Sequence, residues 1–104
     1  MTPLQQELAR SLWRAAASAG CRRVVYHTEY LGYLPFGQYH WVTVSGRDVS
    51  LTCPEGYGWR DFESLADAGV LTRASQWVNP LDDSERVSQY DVVTPDTASD
   101  GGSL

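Results

Sequence analysis

Four residues in the first half of the chain carry side chains that hold metals or move protons: His27, Glu29, His40 and Cys53. Imidazole, carboxylate and thiolate are ordinary ligands of zinc. A thiol beside an imidazole is also the minimal pair for nucleophilic chemistry. Their spacing matches no metal motif. Only strand pairing would gather them, near one end of one sheet face, so they are weak metal candidates. A polar rim at the end of a sheet is the plainer account. No cofactor and no catalytic residue is expected. Gly56-Tyr57-Gly58 before a helical segment has the outline of an anion loop. It lacks the third glycine of a dinucleotide fingerprint, and Glu55, Asp61, Glu63 and Asp67 would repel a phosphate. It reads as a plain loop.

The elements that would position these groups are legible in the pattern. Thr2-Pro3-Leu4-Gln5 is a helix start: Thr2 caps, Pro3 suits the first turn, and Gln5 completes a capping box. Leu4, Leu8, Leu12 and Ala15 follow at helical spacing and Gly20 stops the run, which predicts a helix over 3–19. Residues 22–31 and 38–45 are rich in β-branched and aromatic side chains and predict strands, with the Gly- and Pro-containing loop 32–37 between them. Gly46-Arg47 suits a type II′ hairpin turn into a third strand, 48–53, which Pro54 ends. Trp59, Phe62, Leu65 and Ala66 share a helical face over 59–69, and Gly69 stops it. Two more strands are expected near 70–78 and 86–94, joined by the acidic turn 79–85. The fold class is α+β, one small domain over 1–94 in the order αβββαββ. An antiparallel meander packs on the N-terminal helix, followed by a helix and a β-hairpin. Residues 95–104 read as a disordered acidic tail.

With Gly46-Arg47 as the turn, Val44 pairs with Val49 and Val42 with Leu51. If Leu31 faces Gln38 across the preceding loop, Tyr30 faces Tyr39 and Glu29 faces His40. One face then carries Val25, His27 and Glu29 with Val42, Val44, Val49 and Leu51, the natural seat for the first helix. The other carries Val24, Tyr26, Thr28 and Tyr30 with Tyr39, Trp41 and Thr43. A slip of one residue would exchange these sets. The aromatic face is either covered by the second helix and last hairpin or open to a partner.

Function is constrained more by composition than by motif. The chain of 104 residues has a formal charge of −5, and its eight basic residues are all Arg. An acidic surface disfavours direct contact with nucleic acid or an anionic membrane. The N-terminus lacks the pattern of a signal peptide and no apolar run is long enough to span a bilayer, so a cytoplasmic location is expected, with Cys21 and Cys53 as reduced thiols. The best-fitting class is a small acidic protein-binding module. It would be an inhibitor, immunity or anti-defence protein of bacterial or phage type (anti-CRISPR-like), acting without catalysis on another protein with a basic surface. A homodimer is left open. The expected contacts are the aromatic patch Tyr30, Tyr33, Phe36, Tyr39 and Trp41, with Asp82, Asp83 and Glu85 for steering. One alternative is a small-molecule binder or small enzyme using Tyr26, His27, Tyr30, Tyr39, His40 and Trp41. Another is a winged-helix-like regulator built on helix 59–68 and the last hairpin, although the acids of that helix have the wrong sign for a DNA groove.

Overall fold

In the computed structural model, residues 1–30 and 38–93 are described. Two helices pack on a five-stranded antiparallel sheet, in the α+β arrangement the pattern predicts. Helix α1 spans Pro3–Ala19 and begins with the anticipated capping box. The Thr2 hydroxyl accepts the Gln5 N–H and the Gln5 side-chain oxygen accepts the Thr2 N–H, each at 3.1 Å. Gly20 ends the helix at φ 69°, a left-handed conformation that glycine adopts without a Cβ clash. Leu8, Leu12 and Ala16 form its buried stripe. Helix α2, Trp59–Asp67, buries Phe62 and Leu65. Its start is tied down by Asp61, which accepts the Gly58 N–H at 2.9 Å and the Gln5 side-chain amide at 3.1 Å. One carboxylate therefore joins the N-terminal ends of both helices, and the Gly56–Gly58 segment between a 3₁₀ turn and α2 is non-helical.

The strands are β1 (Arg23–Tyr30), β2 (Gln38–Val44), β3 (Arg47–Asp48), β4 (Leu71–Asn79) and β5 (Asp82–Val92), in the spatial order β3-β2-β1-β5-β4. The last hairpin thus completes the sheet along the free edge of β1 rather than covering a face. The core consists of Leu8, Leu12 and Ala16 from α1, Phe62 and Leu65 from α2, and Val24, Tyr26, Val42, Val44, Leu71, Tyr90 and Val92 from the sheet. All the strand members lie on one face, so both helices cover the same side.

Two registers differ from expectation. Tyr30 pairs with Gln38, so Glu29 pairs with Tyr39, Thr28 with His40 and Tyr26 with Val42. This is the one-residue slip. It moves Val24 and Tyr26 to the helix side and Val25, His27 and Glu29 to the other. The reason is visible in the burial: Val24, Val42 and Val44 are then all enclosed together. The next turn is Ser45-Gly46, not Gly46-Arg47, and Val44 pairs with Arg47. Ser45 at φ 54° and Gly46 at φ 80° place both turn residues in the left-handed region, as a type I′ turn requires. Its twist matches the flanking strands.

The expected strand over 48–53 shrinks to Arg47–Asp48, followed by a 3₁₀ turn at Ser50–Thr52. Side chains displace the ladder here. The Asp48 carboxylate accepts the Ser50 N–H at 2.8 Å, and the Ser50 hydroxyl accepts the Val42 N–H at 2.8 Å. Leu51, expected in the core, is fully exposed at 101%. The acidic tip 79–85 also contracts: Asp82 already begins β5, leaving a turn at Pro80 and Leu81. Cys21 and Cys53 are both free thiols.

The two leucines separate this packing from the expected one. Leu12→Ala should lower stability by about 2–5 kcal/mol, since it empties a fully buried site. Leu51→Ala should change it by less than about 0.5 kcal/mol. Urea denaturation of both variants measures the difference, and a large loss at Leu51 would restore the longer third strand.

Candidate functional site

Alternation along the strands builds the site. Because the odd-numbered residues of β1 face away from the helices, one row of side chains crosses four strands. Trp77 of β4 pairs with Val87 of β5, Val87 with His27 of β1, and His27 with Trp41 of β2. Beside it Val25 lies between Thr43 and Gln89, and Glu29 lies opposite Tyr39. Among the described residues nothing covers this side of the sheet: Trp77 is 48% exposed and Tyr39 36%. Trp41, His27, Val25 and Val87 are each half-buried.

The centre of the row is ordered by ring stacking. The His27 imidazole lies parallel to the Trp41 indole, with centroids 4.8 Å apart and planes 3° from parallel. His27 Nε2 is 3.0 Å from the Thr43 hydroxyl on the neighbouring strand. Burial holds the His27 imidazole below its ordinary pKa, partly offset by the Asp48 carboxylate, so the ring is neutral at pH 7. It therefore serves the face as a flat, largely apolar plate. The charged groups of the face are Glu29, Asp48 and the pair Arg23–Asp91, in which the guanidinium Nε meets the carboxylate at 2.7 Å. Arg23 also reaches the Gln89 side-chain oxygen at 2.6 Å. An apolar centre with an acidic rim results.

The proposed chemical cluster is not assembled. His27 and Glu29 lie on the open face, whereas His40 and Cys53 lie on the helix side. Among the described residues no group of three or more His, Cys, Asp and Glu is placed to hold a metal ion. The slipped β1–β2 register is the reason. His40 instead takes the Tyr26 hydroxyl at its Nδ1, 2.7 Å away, and stacks on Tyr57 at 4.6 Å. Burial lowers its pKa as well. Burial pushes the Cys53 thiol up to about 11, which leaves it protonated and unreactive at neutral pH. Tyr26, grouped with the aromatic patch by sequence, is a core residue that packs on Phe62 at 4.7 Å. The pocket expected between Tyr26, His27, Tyr30, Tyr39, His40 and Trp41 is divided by the sheet itself: Tyr26 and His40 lie on one side, His27, Tyr39 and Trp41 on the other.

Of the expected contact residues, Tyr39 and Trp41 are on the open face. Tyr30 closes β1 opposite Gln38. Tyr33 and Phe36 lie outside the described residues. Asp82 is exposed and accepts hydrogen bonds from both the Ser84 N–H and hydroxyl. Asp83 lies next to it in β5. Glu85 is half-buried and accepts the Asn79 amide at 2.7 Å. These acids therefore sit in the first residues of a strand rather than at a free loop tip. Sequence reading missed Trp77 and Val87. The available signal was the alternation Ser75-Trp77 and Val87-Gln89-Asp91, but nothing local says that β5 pairs with β1.

Compared with protein-family models, curated proteins and solved structures, the chain matches none of them. Among the described residues no helix is long and apolar enough to cross a membrane.

The neutral state of His27 and His40 has a pH signature. A histidine whose folded pKa is depressed binds its proton more readily in the unfolded chain. Its contribution is complete above the unfolded value of about 6.5 and falls as the pH drops below it. The melting temperature should therefore decline between about pH 7.5 and 5.5. The His27→Gln, His40→Gln double variant should show a shallower decline. Thermal denaturation across that range checks it, and an unchanged slope in the double variant would contradict the neutral assignment.

Proposed function

We propose that this chain is a non-catalytic protein-binding module whose working surface is the open face of the sheet. The observation that carries this reading is the row Trp77–Val87–His27–Trp41, with Trp77 exposed and the other three half-buried, on a side that neither helix covers. Tryptophan and tyrosine dominate binding energy at interfaces because one side chain buries a large rigid area at low entropy cost. Stacking on His27 fixes Trp41 before any partner arrives, which reduces the cost of ordering it on docking. The rim selects the partner's chemistry. Glu29, Asp48 and Asp91 face outward with Arg23, whose charge Asp91 already answers. A partner with an apolar centre and basic residues around it complements this pattern. An inhibitor, immunity or anti-defence protein acting on a basic target, such as a nucleic-acid-binding protein, fits that description.

The test uses the Trp41→Ala, Trp77→Ala double variant. Immobilised wild type should retain a specific protein from an extract of the native host, and the variant should bind it at least about 30-fold more weakly, corresponding to about 2 kcal/mol. The variant's melting temperature should stay within a few degrees of wild type. Unchanged binding would contradict the proposal, and so would wholesale unfolding, since it would place the two indoles in the core. Sedimentation of the wild type alone supplies a further control: a dimer abolished by the double substitution would make a second copy the occupant of the face, against the partner proposed.

A further inference from the structure

A cleft of about 580 Å³ lies on the helix side of the molecule, between the second half of α1 and the β2–β3 turn. Arg14 and Ser18 line it from α1, Ser45 and Arg47 from the turn, and Val44 and Val49 with apolar surface. Its size falls within the range of roughly 300–1,000 Å³ typical of small-molecule sites. Its only charged lining residues are the two arginines. Among the described residues Arg10, Arg23 and Arg73 are ion-paired, whereas Arg22 and Arg60 have no carboxylate partner and lie outside this cleft. Among the described residues Arg14 and Arg47 have no carboxylate partner, and no acid lines the cleft they share.

We infer that this cleft binds a small organic oxyanion, a phosphate or carboxylate group on a compact body. Arg14 and Arg47 would take the charged group, because a guanidinium offers paired N–H donors that match an oxyanion's geometry. The Ser18 and Ser45 hydroxyls are additional donors. Those of Ser11 and Thr52, which also line the cleft, are already committed to the Thr52 and Val49 carbonyls at 2.8 and 2.7 Å. The less polar part of the ligand would lie against Val44 and Val49. The C-terminal end of α1 opposes an anion with a partial charge of about −0.5. Two full positive charges outweigh it. The site is independent of the protein-binding face: Val44 belongs to the helix side of β2 and Thr43 to the open side.

The experiment is a titration of the ¹⁵N-labelled full chain with adenosine 5′-monophosphate and, separately, with citrate, at constant ionic strength with sodium chloride as the control. At least one of the two should shift the amides of Arg14, Ser18, Ser45, Gly46 and Arg47 saturably at millimolar concentration or below. A response to the nucleotide alone identifies a phosphate site, and a response to citrate alone identifies a carboxylate site. Arg14→Gln, Arg47→Gln should weaken that binding at least about tenfold while leaving the spectrum otherwise folded, because both side chains are exposed. Arg47→Gln alone should weaken it by less. The Trp41→Ala, Trp77→Ala variant should bind the anion as wild type does, which separates failure here from failure of the open-face reading. No saturable response to either probe, or equal affinity in the double arginine variant, would overturn the inference.

Discussion

The pairing of Val24 with Val44 and of Tyr26 with Val42 decides which side of the sheet is core. Side chains in a strand alternate with a period of two, so each register of β1 on β2 buries one complete set and exposes the other. In the observed register three valines and a tyrosine meet Leu8, Leu12 and Ala16 of α1 and Phe62 of α2. Each fully enclosed side chain of this size is worth about 1.5–3 kcal/mol. Shifting β1 by one residue would turn His27 and Glu29 toward the helices instead. Their desolvation would cost several kcal/mol with no charge to answer Glu29. The only polar atom that the chosen set brings inward from these four residues is the Tyr26 hydroxyl, which His40 answers at 2.7 Å.

Once that side is set, both helices follow it, and the consequences run outward. Asp61 joins the starts of α1 and α2: it caps α2 at the Gly58 N–H and accepts the Gln5 side-chain amide of α1, so separating the two helix starts breaks the Gln5–Asp61 hydrogen bond. At the far edge, Arg73 of β4 reaches Glu63 and Asp67 of α2 at 2.9 Å each, and Glu63 also accepts the Tyr90 hydroxyl at 2.7 Å. These contacts hold β4 and β5 in the plane of the sheet. The result is a row of apolar and aromatic groups from Trp77 to Trp41 that, among the described residues, no second layer covers. The stacked, neutral His27 joins its two ends into one surface.

Much of the architecture could be read from local chemistry. The Thr2–Gln5 capping box, the leucine spacing of α1, the Phe62 and Leu65 stripe of α2 and the four longer strands are each specified by their own residues. What could not be read depends on parity or on distant pairing. The loop between β1 and β2 admits two registers one residue apart, and both leave valines on β2's inner side. Ser45-Gly46 and Gly46-Arg47 are both acceptable turns on paper, and the left-handed φ at Ser45 with the pairing of Val44 to Arg47 distinguishes them. The third strand ended early because Asp48 and Ser50 offer the backbone side-chain partners, a competition that strand propensity does not weigh. The site suffered most. Tyr39 and Trp41 share a face that the sequence alone left either covered or open, and Trp77 joins them only through the long-range pairing of β5 with β1. His27 and His40 were grouped because the register was wrong, and the arginine cleft needed the three-dimensional meeting of α1 with a turn more than 25 residues away.

The central claim is that one face of the sheet is left uncovered by both helices and carries two of the four tryptophans. Indole N–H resonances report this directly when a soluble paramagnetic agent is added to ¹⁵N-labelled protein. The indole nitrogens of Trp13 and Trp59 are buried. Their signals should persist. Trp77 should broaden most, and Trp41 less, because His27 covers one of its ring faces. Protection of Trp41 and Trp77 equal to that of Trp13 would show that the face is covered, and the account of this protein's working surface would fail.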